Sequence, residues 1–109
     1  MNHAVKMVVL DLDGTLLRSD ETISDYTKAV LDRCRDTGMK VVYLTGRGER
    51  SARSVAPYEY FDGEATQAGA VVSVRDTVIS KCTIPYEEAR PLLMLFDRHG
   101  LNTMTEDNK

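Results

Sequence analysis

The stretch that decides the fold spans residues 5–15 and reads VKMVVLDLDGT. Its apolar run Val8-Val9-Leu10 is typical of a buried β-strand, which we expect over residues 5–10. Asp11 and Asp13 follow directly, so two carboxylates arrive at the carboxyl end of that strand. In an open α/β sheet this edge is where ligands bind. The stretch therefore predicts an α/β fold with a functional site beside its first strand.

The two acidic side chains are expected to converge on one site. Alternate residues of a strand point to the same side, and Asp11 and Asp13 share this parity. Two neighbouring carboxylates resist simultaneous ionisation unless a cation offsets their charge. We therefore expect either a bound divalent metal or a raised pKa on one of the two, and both outcomes suit catalysis.

Length, net charge and cysteine spacing exclude several classes of protein. A chain of 109 residues is one domain at most, and its net charge of -3 argues against nucleic acid as a partner. Cys34 and Cys82 lie far apart without metal-ligand spacing, which favours reduced thiols over a zinc site or a disulfide. No apolar stretch approaches membrane-spanning length, so we predict a cytoplasmic protein without a membrane partner.

A second strand follows the first through a helix. Ser24 is a typical N-cap and Gly38 a typical residue after a helix C-terminus, which predicts a helix between them. Residues 39–44 then form a predicted strand that ends at Thr45-Gly46-Arg47. The predicted order of strand, helix and strand makes a right-handed βαβ unit, in which the two strands run parallel. Thr45 is therefore expected to face the same crevice as the two aspartates.

The remainder of the chain predicts five further elements. The first is a helix in which Arg47, Arg50 and Arg53 recur every three positions, which favours a solvated charged face. The last helix carries Leu92, Leu93, Leu95 and Phe96 at helical spacing, and we expect these side chains to pack inward. In order, the predicted elements are a helix over 47–57, a strand over 61–67, a hairpin of 71–74 with 78–83, a helix over 86–99 and a possible strand over 101–105.

Three motifs carry a family resemblance. They are Asp11-Leu12-Asp13-Gly14-Thr15-Leu16-Leu17 after the first strand, Thr45-Gly46-Arg47 after the second, and then Gln67-Ala68-Gly69-Ala70. In this order they resemble the haloacid dehalogenase-like (HAD) superfamily of phosphohydrolases, specifically its Cof-type sugar-phosphate phosphatase branch. The resemblance implies a partial HAD-type, Rossmann-like parallel sheet core with three layers over residues 1–70, and the start of a type II α+β cap over 71–109.

The resemblance also implies a chemistry. Asp11 would be the nucleophile that forms an aspartyl-phosphate, and Asp13 the general acid and then base. Thr45, Gly46 and Arg47 would bind the phosphate. Mg²⁺ would be held by the Asp11 side chain and the Asp13 backbone carbonyl, with water and phosphate oxygens completing the shell. The implied function is magnesium-dependent hydrolysis of a small phosphorylated metabolite.

Members of this family continue well beyond the length of this chain and return to the core with a lysine and an acidic pair. We do not assign those roles to Lys109 or to Glu106-Asp107. A partial core predicts an uncovered sheet edge and apolar face, which a homodimer could bury. One alternative is a truncated, catalytically incompetent phosphate- and metal-binding module that self-associates. Another is that Asp11 and Asp13 serve only the turn that contains them.

Overall fold

Within the described residues, a five-stranded mixed sheet forms the centre of the fold and is accompanied by three α-helices. The computed structural model describes residues 4–106, so the outer ends of both predicted domains, with Asp107 and Lys109, lie outside the described residues. The strands are β1 (Met7–Asp11), β2 (Lys40–Leu44), β3 (Gly63–Thr66), β4 (Val71–Val74) and β5 (Thr77–Lys81). The helices are α1 (Asp25–Asp36), α2 (Glu49–Val55) and α3 (Tyr86–Arg98).

The predicted βαβ unit is confirmed. β1 pairs in parallel with β2, from Met7 beside Lys40 to Asp11 beside Leu44, and α1 connects the two strands. β2 pairs in parallel with β3. The carboxyl ends of β1 and β2 are therefore level, and the residues that follow them meet at one edge of the sheet.

The ends of α1 lie where the sequence predicted them. The Ser24 hydroxyl accepts a hydrogen bond from the Thr27 amide at 3.1 Å, which satisfies one of the open donors of the first turn. Gly38, with φ of 89°, then reverses the chain into β2. The predicted second helix is shorter than expected, because Gly48 is the N-cap of α2 and the preceding Thr45–Arg47 turn belongs to the site.

In the described residues, the helices that pack on the sheet lie on one of its sides. Tyr43 and Val41 are fully buried on that side beneath the helices, and the Tyr43 and Phe61 rings meet edge to face at 4.8 Å. On the opposite side Met7, Val9 and Leu44 are exposed. The predicted three-layer core was therefore wrong for the described residues: they form two layers, and β1 is an edge strand that pairs with β2 alone.

The predicted hairpin extends this same sheet. β4 pairs antiparallel with β3, and β5 pairs antiparallel with β4 with a register shift between Val72 and Ser73. Arg75 and Asp76 make its turn with φ of 47° and 67°. The sheet thus runs continuously across position 70, and the division of the chain into a core and a cap at that position stays a prediction.

The C-terminal part departs most from expectation. The predicted inward packing of α3 was wrong, because Leu92, Leu95 and Phe96 are 47%, 45% and 37% exposed. The possible strand over 101–105 is absent too. The molecule measures 52 × 30 × 30 Å, and its radius of gyration is 16.9 Å. A compact chain of this length would have about 13 Å. Within residues 4–106, no helix has the length and apolar character needed to cross a membrane.

Candidate active site

A cleft opens at the carboxyl ends of β1 and β2. Its volume is about 330 Å³, and its polar lining comes from Asp11, Thr45 and Gly46, with the Ala68 backbone turn beside them. Val9, Leu10 and Leu44 complete its wall. The structure therefore brings together the predicted nucleophile and two of the three predicted phosphate-binding residues, as the level strand ends require.

Asp11 is held at the mouth of β1 by its own turn. One carboxylate oxygen, Oδ1, accepts a hydrogen bond from the Leu12 amide at 2.9 Å. The turn that follows, Leu12–Leu16, closes through a bond from the Leu17 amide to the Leu12 carbonyl, and Gly14 within it has φ of 74°. This geometry needs a glycine, because L side chains rarely adopt that conformation. The turn fixes the Asp11 carboxylate at the cleft.

Thr45 is the most firmly anchored residue of the cleft. It is 3% exposed, and its amide donates to the Ala65 carbonyl while its own carbonyl accepts from the Ala68 amide, both at 2.9 Å. Its hydroxyl oxygen accepts from the Arg47 amide at 3.1 Å. A hydroxyl that accepts a bond still has its own proton to donate. Thr45 can therefore offer that proton to an anion.

Asp13 and Arg47 form an ion pair beside the cleft rather than within it. The Arg47 guanidinium donates to both carboxylate oxygens, from Nε at 2.8 Å and from Nη2 at 2.7 Å. This bidentate hydrogen bonding, with the charge of Arg47, holds the pKa of Asp13 below its usual 3.8. The expectation of a raised pKa on one aspartate was therefore wrong for Asp13. An arginine offsets its charge in this structure.

Sequence reasoning missed Glu21. Its carboxylate accepts from the same Nη2 of Arg47 at 2.7 Å, so one guanidinium nitrogen serves two acids. Glu21 has φ of 62°, and its amide donates to the Arg18 carbonyl at 2.9 Å in a tight turn. The only signal in the sequence was an acidic loop after the first motif, and nothing there indicated which arginine or lysine the Glu21 carboxylate would contact.

Ala68 was missed as well. It lines the cleft with φ of 54°, after Gln67 with φ of 51° and before Gly69 with φ of 95°. Three successive left-handed residues, two of them not glycine, cost free energy that the surroundings must offset. The Ala68 amide bond to Thr45 shows what this turn does, because it braces the phosphate-binding residue. The sequence indicated a turn at Gly69 but not the strained residues before it.

The arginine face of α2 is only partly solvated. Arg50 is exposed, as predicted, whereas Arg53 points onto the sheet and pairs with Glu64, which is 4% exposed. The Tyr43 hydroxyl donates to the other oxygen of Glu64. Burial, with the bond to Glu64, raises the pKa of Tyr43 above its usual range. This network anchors α2, and hence the loop that begins it, to β2 and β3.

A larger polar cleft of about 500 Å³ lies at the opposite edge of the sheet, where α1 ends and β2 begins. Its buried acid, Asp62, accepts from the Val41 amide at 2.9 Å and lies 3.7 Å from both Arg35 and Arg75. Its acidic and basic side chains therefore offset one another within the cleft. It is remote from every predicted site residue.

The described residues offer a partial donor set for Mg²⁺. No group of three or more His, Cys, Asp or Glu side chains is placed to hold a metal within residues 4–106. Magnesium, however, commonly takes one or two carboxylates and keeps water and substrate phosphate as its other ligands. The Asp11 carboxylate at an open cleft and the adjacent Asp13 backbone carbonyl fit that requirement.

Comparisons with known proteins identify the family of the chain. Residues 8–109 match the family described as haloacid dehalogenase-like hydrolase. The 5-amino-6-(5-phospho-D-ribitylamino)uracil phosphatase YitU of Bacillus subtilis is 48% identical over 46 residues, which are 42% of this chain and 17% of that protein.

Solved structures give the same result. A HAD-superfamily phosphatase from Bacteroides thetaiotaomicron superposes with a TM-score of 0.74 at 31% identity, over 90% of this chain and 37% of its own. A sugar phosphatase of HAD subclass IIB superposes with a TM-score of 0.72 at 28% identity, over 88% and 38%. The chain spans between 17% and 41% of the length of four curated relatives that it matches. These matches confirm the predicted partial Rossmann-like core, and the chain belongs to the haloacid dehalogenase-like hydrolase family.

Proposed function

We propose that the cleft hydrolyses a phosphate monoester with Mg²⁺ as its cofactor. The observation that carries the proposal is that Asp11 and Thr45 line one cleft, at the ends of adjacent parallel strands. Phosphoryl transfer needs at least a nucleophile and a hydrogen-bond donor to the phosphoryl oxygens in the same small cavity. The phosphatase names of similar proteins support the reaction class.

The first step is attack on phosphorus. An oxygen of Asp11 forms a bond to the phosphorus atom while the bond from phosphorus to the ester oxygen breaks. The leaving oxygen takes a proton from Asp13, which carries that proton once the substrate phosphate has drawn the Arg47 guanidinium away from its carboxylate. The product is an aspartyl-phosphate on Asp11 and a free alcohol. The Thr45 hydroxyl and the Gly46 amide donate to the phosphoryl oxygens and offset their charge.

The second step is hydrolysis of the aspartyl-phosphate. Asp13, now a carboxylate, takes a proton from a water molecule whose oxygen attacks phosphorus, and the bond from phosphorus to Asp11 breaks. Inorganic phosphate leaves and Asp11 is restored. The bidentate pair with Arg47 orients Asp13 and favours the carboxylate form that this step uses. A phosphate in the cleft would compete with Asp13 for the guanidinium of Arg47, which is how that residue would serve as a phosphate ligand.

Mg²⁺ held by Asp11 and the Asp13 backbone carbonyl would offset the repulsion between a carboxylate nucleophile and an anionic substrate. The cleft of about 330 Å³ fits a phosphoryl group with a small attached alcohol. We propose a small phosphorylated metabolite as the substrate, in line with the phosphorylated sugar derivatives that the names of similar phosphatases give. We place the activity in the cytoplasm.

The test is hydrolysis of p-nitrophenyl phosphate with and without MgCl₂ by the chain and two variants, Asp11→Asn and Asp36→Asn. The proposal expects turnover that requires Mg²⁺, disappears in Asp11→Asn and persists in Asp36→Asn. The control residue is an exposed acid at the end of α1, away from the cleft. Turnover that survives in Asp11→Asn, or its absence from the unaltered chain, contradicts the proposal.

A second candidate is a module that binds phosphate and a cation but has no turnover. One observation favours it: within the described residues, no three acidic or other metal-ligating side chains gather to hold a metal. Such a module would bind inorganic phosphate at Thr45 and Gly46 yet fail the hydrolysis assay. Phosphate binding measured together with hydrolysis separates the two candidates.

A further inference from the structure

The Arg47 guanidinium divides its donors among three side chains in the part of the chain that the structure describes. Nε and Nη2 donate to the two carboxylate oxygens of Asp13 at 2.8 and 2.7 Å. Nη2 also donates to the Glu21 carboxylate at 2.7 Å, and Nη1 donates to the Ser51 hydroxyl at 3.1 Å. Since Nη2 carries two hydrogens, each of its two acids has a donor of its own. Glu21 therefore binds Arg47 without competing with Asp13.

This division of donors allows a phosphate to replace Asp13 alone. A phosphate accepts two parallel bonds from a guanidinium just as a carboxylate does. On the side of Arg47 formed by Nε and Nη2, its oxygens would take the places of the two Asp13 oxygens. The bonds to Glu21 and Ser51 use other hydrogens, so both can persist through the exchange.

The backbone at Glu21 holds its carboxylate towards Arg47. Glu21 has φ of 62°, a conformation that glycine and asparagine adopt more readily than glutamate. Two backbone bonds close the turn, from the Glu21 amide to the Arg18 carbonyl at 2.9 Å and from the Arg18 amide to the Thr22 carbonyl at 2.8 Å. Asp20 Oδ1 also accepts from the Thr22 hydroxyl at 2.6 Å. Strained residues held in this way are concentrated at functional sites.

Of the three partners of Arg47, Glu21 is the one suited to keep the guanidinium in place. Asp13 has to release it when a phosphate binds, and Ser51 is uncharged. Glu21 is charged and belongs to a separate loop, so it fixes the end of the arginine side chain from outside α2. A long side chain that is already held loses less conformational entropy when a ligand binds to it.

We propose that Glu21 is a positioning residue, which keeps the Arg47 guanidinium at the cleft while a phosphate replaces Asp13 on it. This inference rests on the proposed function, because it requires phosphate to bind beside Arg47. Its sign is opposite to that of simple charge repulsion, by which removal of an acid tightens the binding of an anion. The Glu21 side chain is 64% exposed, so water and salt screen that repulsion. Loss of Glu21 should therefore weaken phosphate binding.

The test measures the dissociation constant of inorganic phosphate with MgCl₂ present, from the NMR shifts of the Thr45 and Gly46 amides. Glu21→Ala and Glu21→Gln lose the same charge, but glutamine keeps an oxygen acceptor at the same reach. Glu21→Ala is expected to bind phosphate about threefold more weakly than the unaltered chain, with Glu21→Gln between them. The control is Asp25→Ala, which removes an exposed acid from the first turn of α1 and should change the constant by less than about 1.5-fold.

An Arg47→Ala background shows whether Glu21 acts through the guanidinium. There the further change Glu21→Ala is expected to cause no additional weakening, whereas a general structural role would weaken binding in both backgrounds. Phosphate binding that Glu21→Ala leaves equal or tighter, or a weakening that persists without Arg47, overturns this inference alone. An unaltered chain that binds no phosphate overturns the proposed function, and this inference with it.

Discussion

Removal of Arg53 should destabilise the chain far more than a surface substitution. Its guanidinium donates to Glu64 from Nε at 2.8 Å, and again from Nη2, and Glu64 is 4% exposed. Arg53→Ala leaves that carboxylate buried with the Tyr43 hydroxyl as its remaining side-chain donor. Removing one partner of a buried ion pair typically costs about 3–5 kcal/mol. The additional pairs of Arg53 with Glu49 and Asp76 are more exposed and add less than about 1 kcal/mol each.

The magnitude is large for a chain of this size, whose free energy of unfolding is expected to be about 5–15 kcal/mol. A loss of about 3 kcal/mol lowers the urea midpoint by about 1.5 M if the slope is near 2 kcal/mol per M. The matched control is Arg53→Ala with Glu64→Gln, which removes the unpaired charge and should recover most of the loss. Circular dichroism in urea measures both variants. If Arg53→Ala falls within about 1 kcal/mol of the unaltered chain, or the double variant is no more stable than the single one, the reasoning fails.

Three further predictions concern the site and its supports. Because Arg47 holds the pKa of Asp13 below 3.8, this carboxylate stabilises the fold above that pH and loses its effect as the pH falls through the lowered pKa. Arg47→Gln should therefore flatten the loss of stability between about pH 5 and pH 2. An unchanged dependence of stability on pH in this acidic range contradicts the prediction. Because burial raises the pKa of Tyr43 above 10.0, neutral Tyr43 stabilises the fold below pH 10 and this contribution is lost at higher pH. Tyr43→Phe should therefore lose less stability at alkaline pH, as measured by urea unfolding. An identical loss of stability at alkaline pH in both proteins argues against the prediction. Ala68→Gly should cost less stability than Ala70→Gly, because Ala68 has φ of 54° and Ala70 is right-handed; the reverse order of urea midpoints would show that position 68 is not strained.

Local signals predicted the elements that place the site. The apolar run before Asp11, the N-cap at Ser24 and the glycine at position 38 each act over a few residues, and each lies where the structure has it. The meeting of Asp11 with Thr45 followed from one tertiary rule, the parallel pairing of strands in a βαβ unit.

Features that depend on distant partners were not predictable in this way. The ion pair of Arg47 with Asp13 spans 34 positions, and that of Arg53 with Glu64 depends on which side of α2 meets the sheet. An arginine repeat has the same pattern whether its members face water or a buried acid. Helical spacing on α3 predicted an apolar stripe correctly, but periodicity says nothing about what covers it.

The central claim is that a phosphoryl group binds between Asp11 and Thr45, and amide NMR tests it most directly. Inorganic phosphate is titrated into the ¹⁵N-labelled chain with MgCl₂ present. The account predicts saturable shifts at the Thr45 and Gly46 amides and at the Leu12 amide bonded to Asp11, all lost in Thr45→Val. Shifts that centre instead on Arg35, Asp62 and Arg75 in the opposite cleft, with these three amides unmoved, would contradict it.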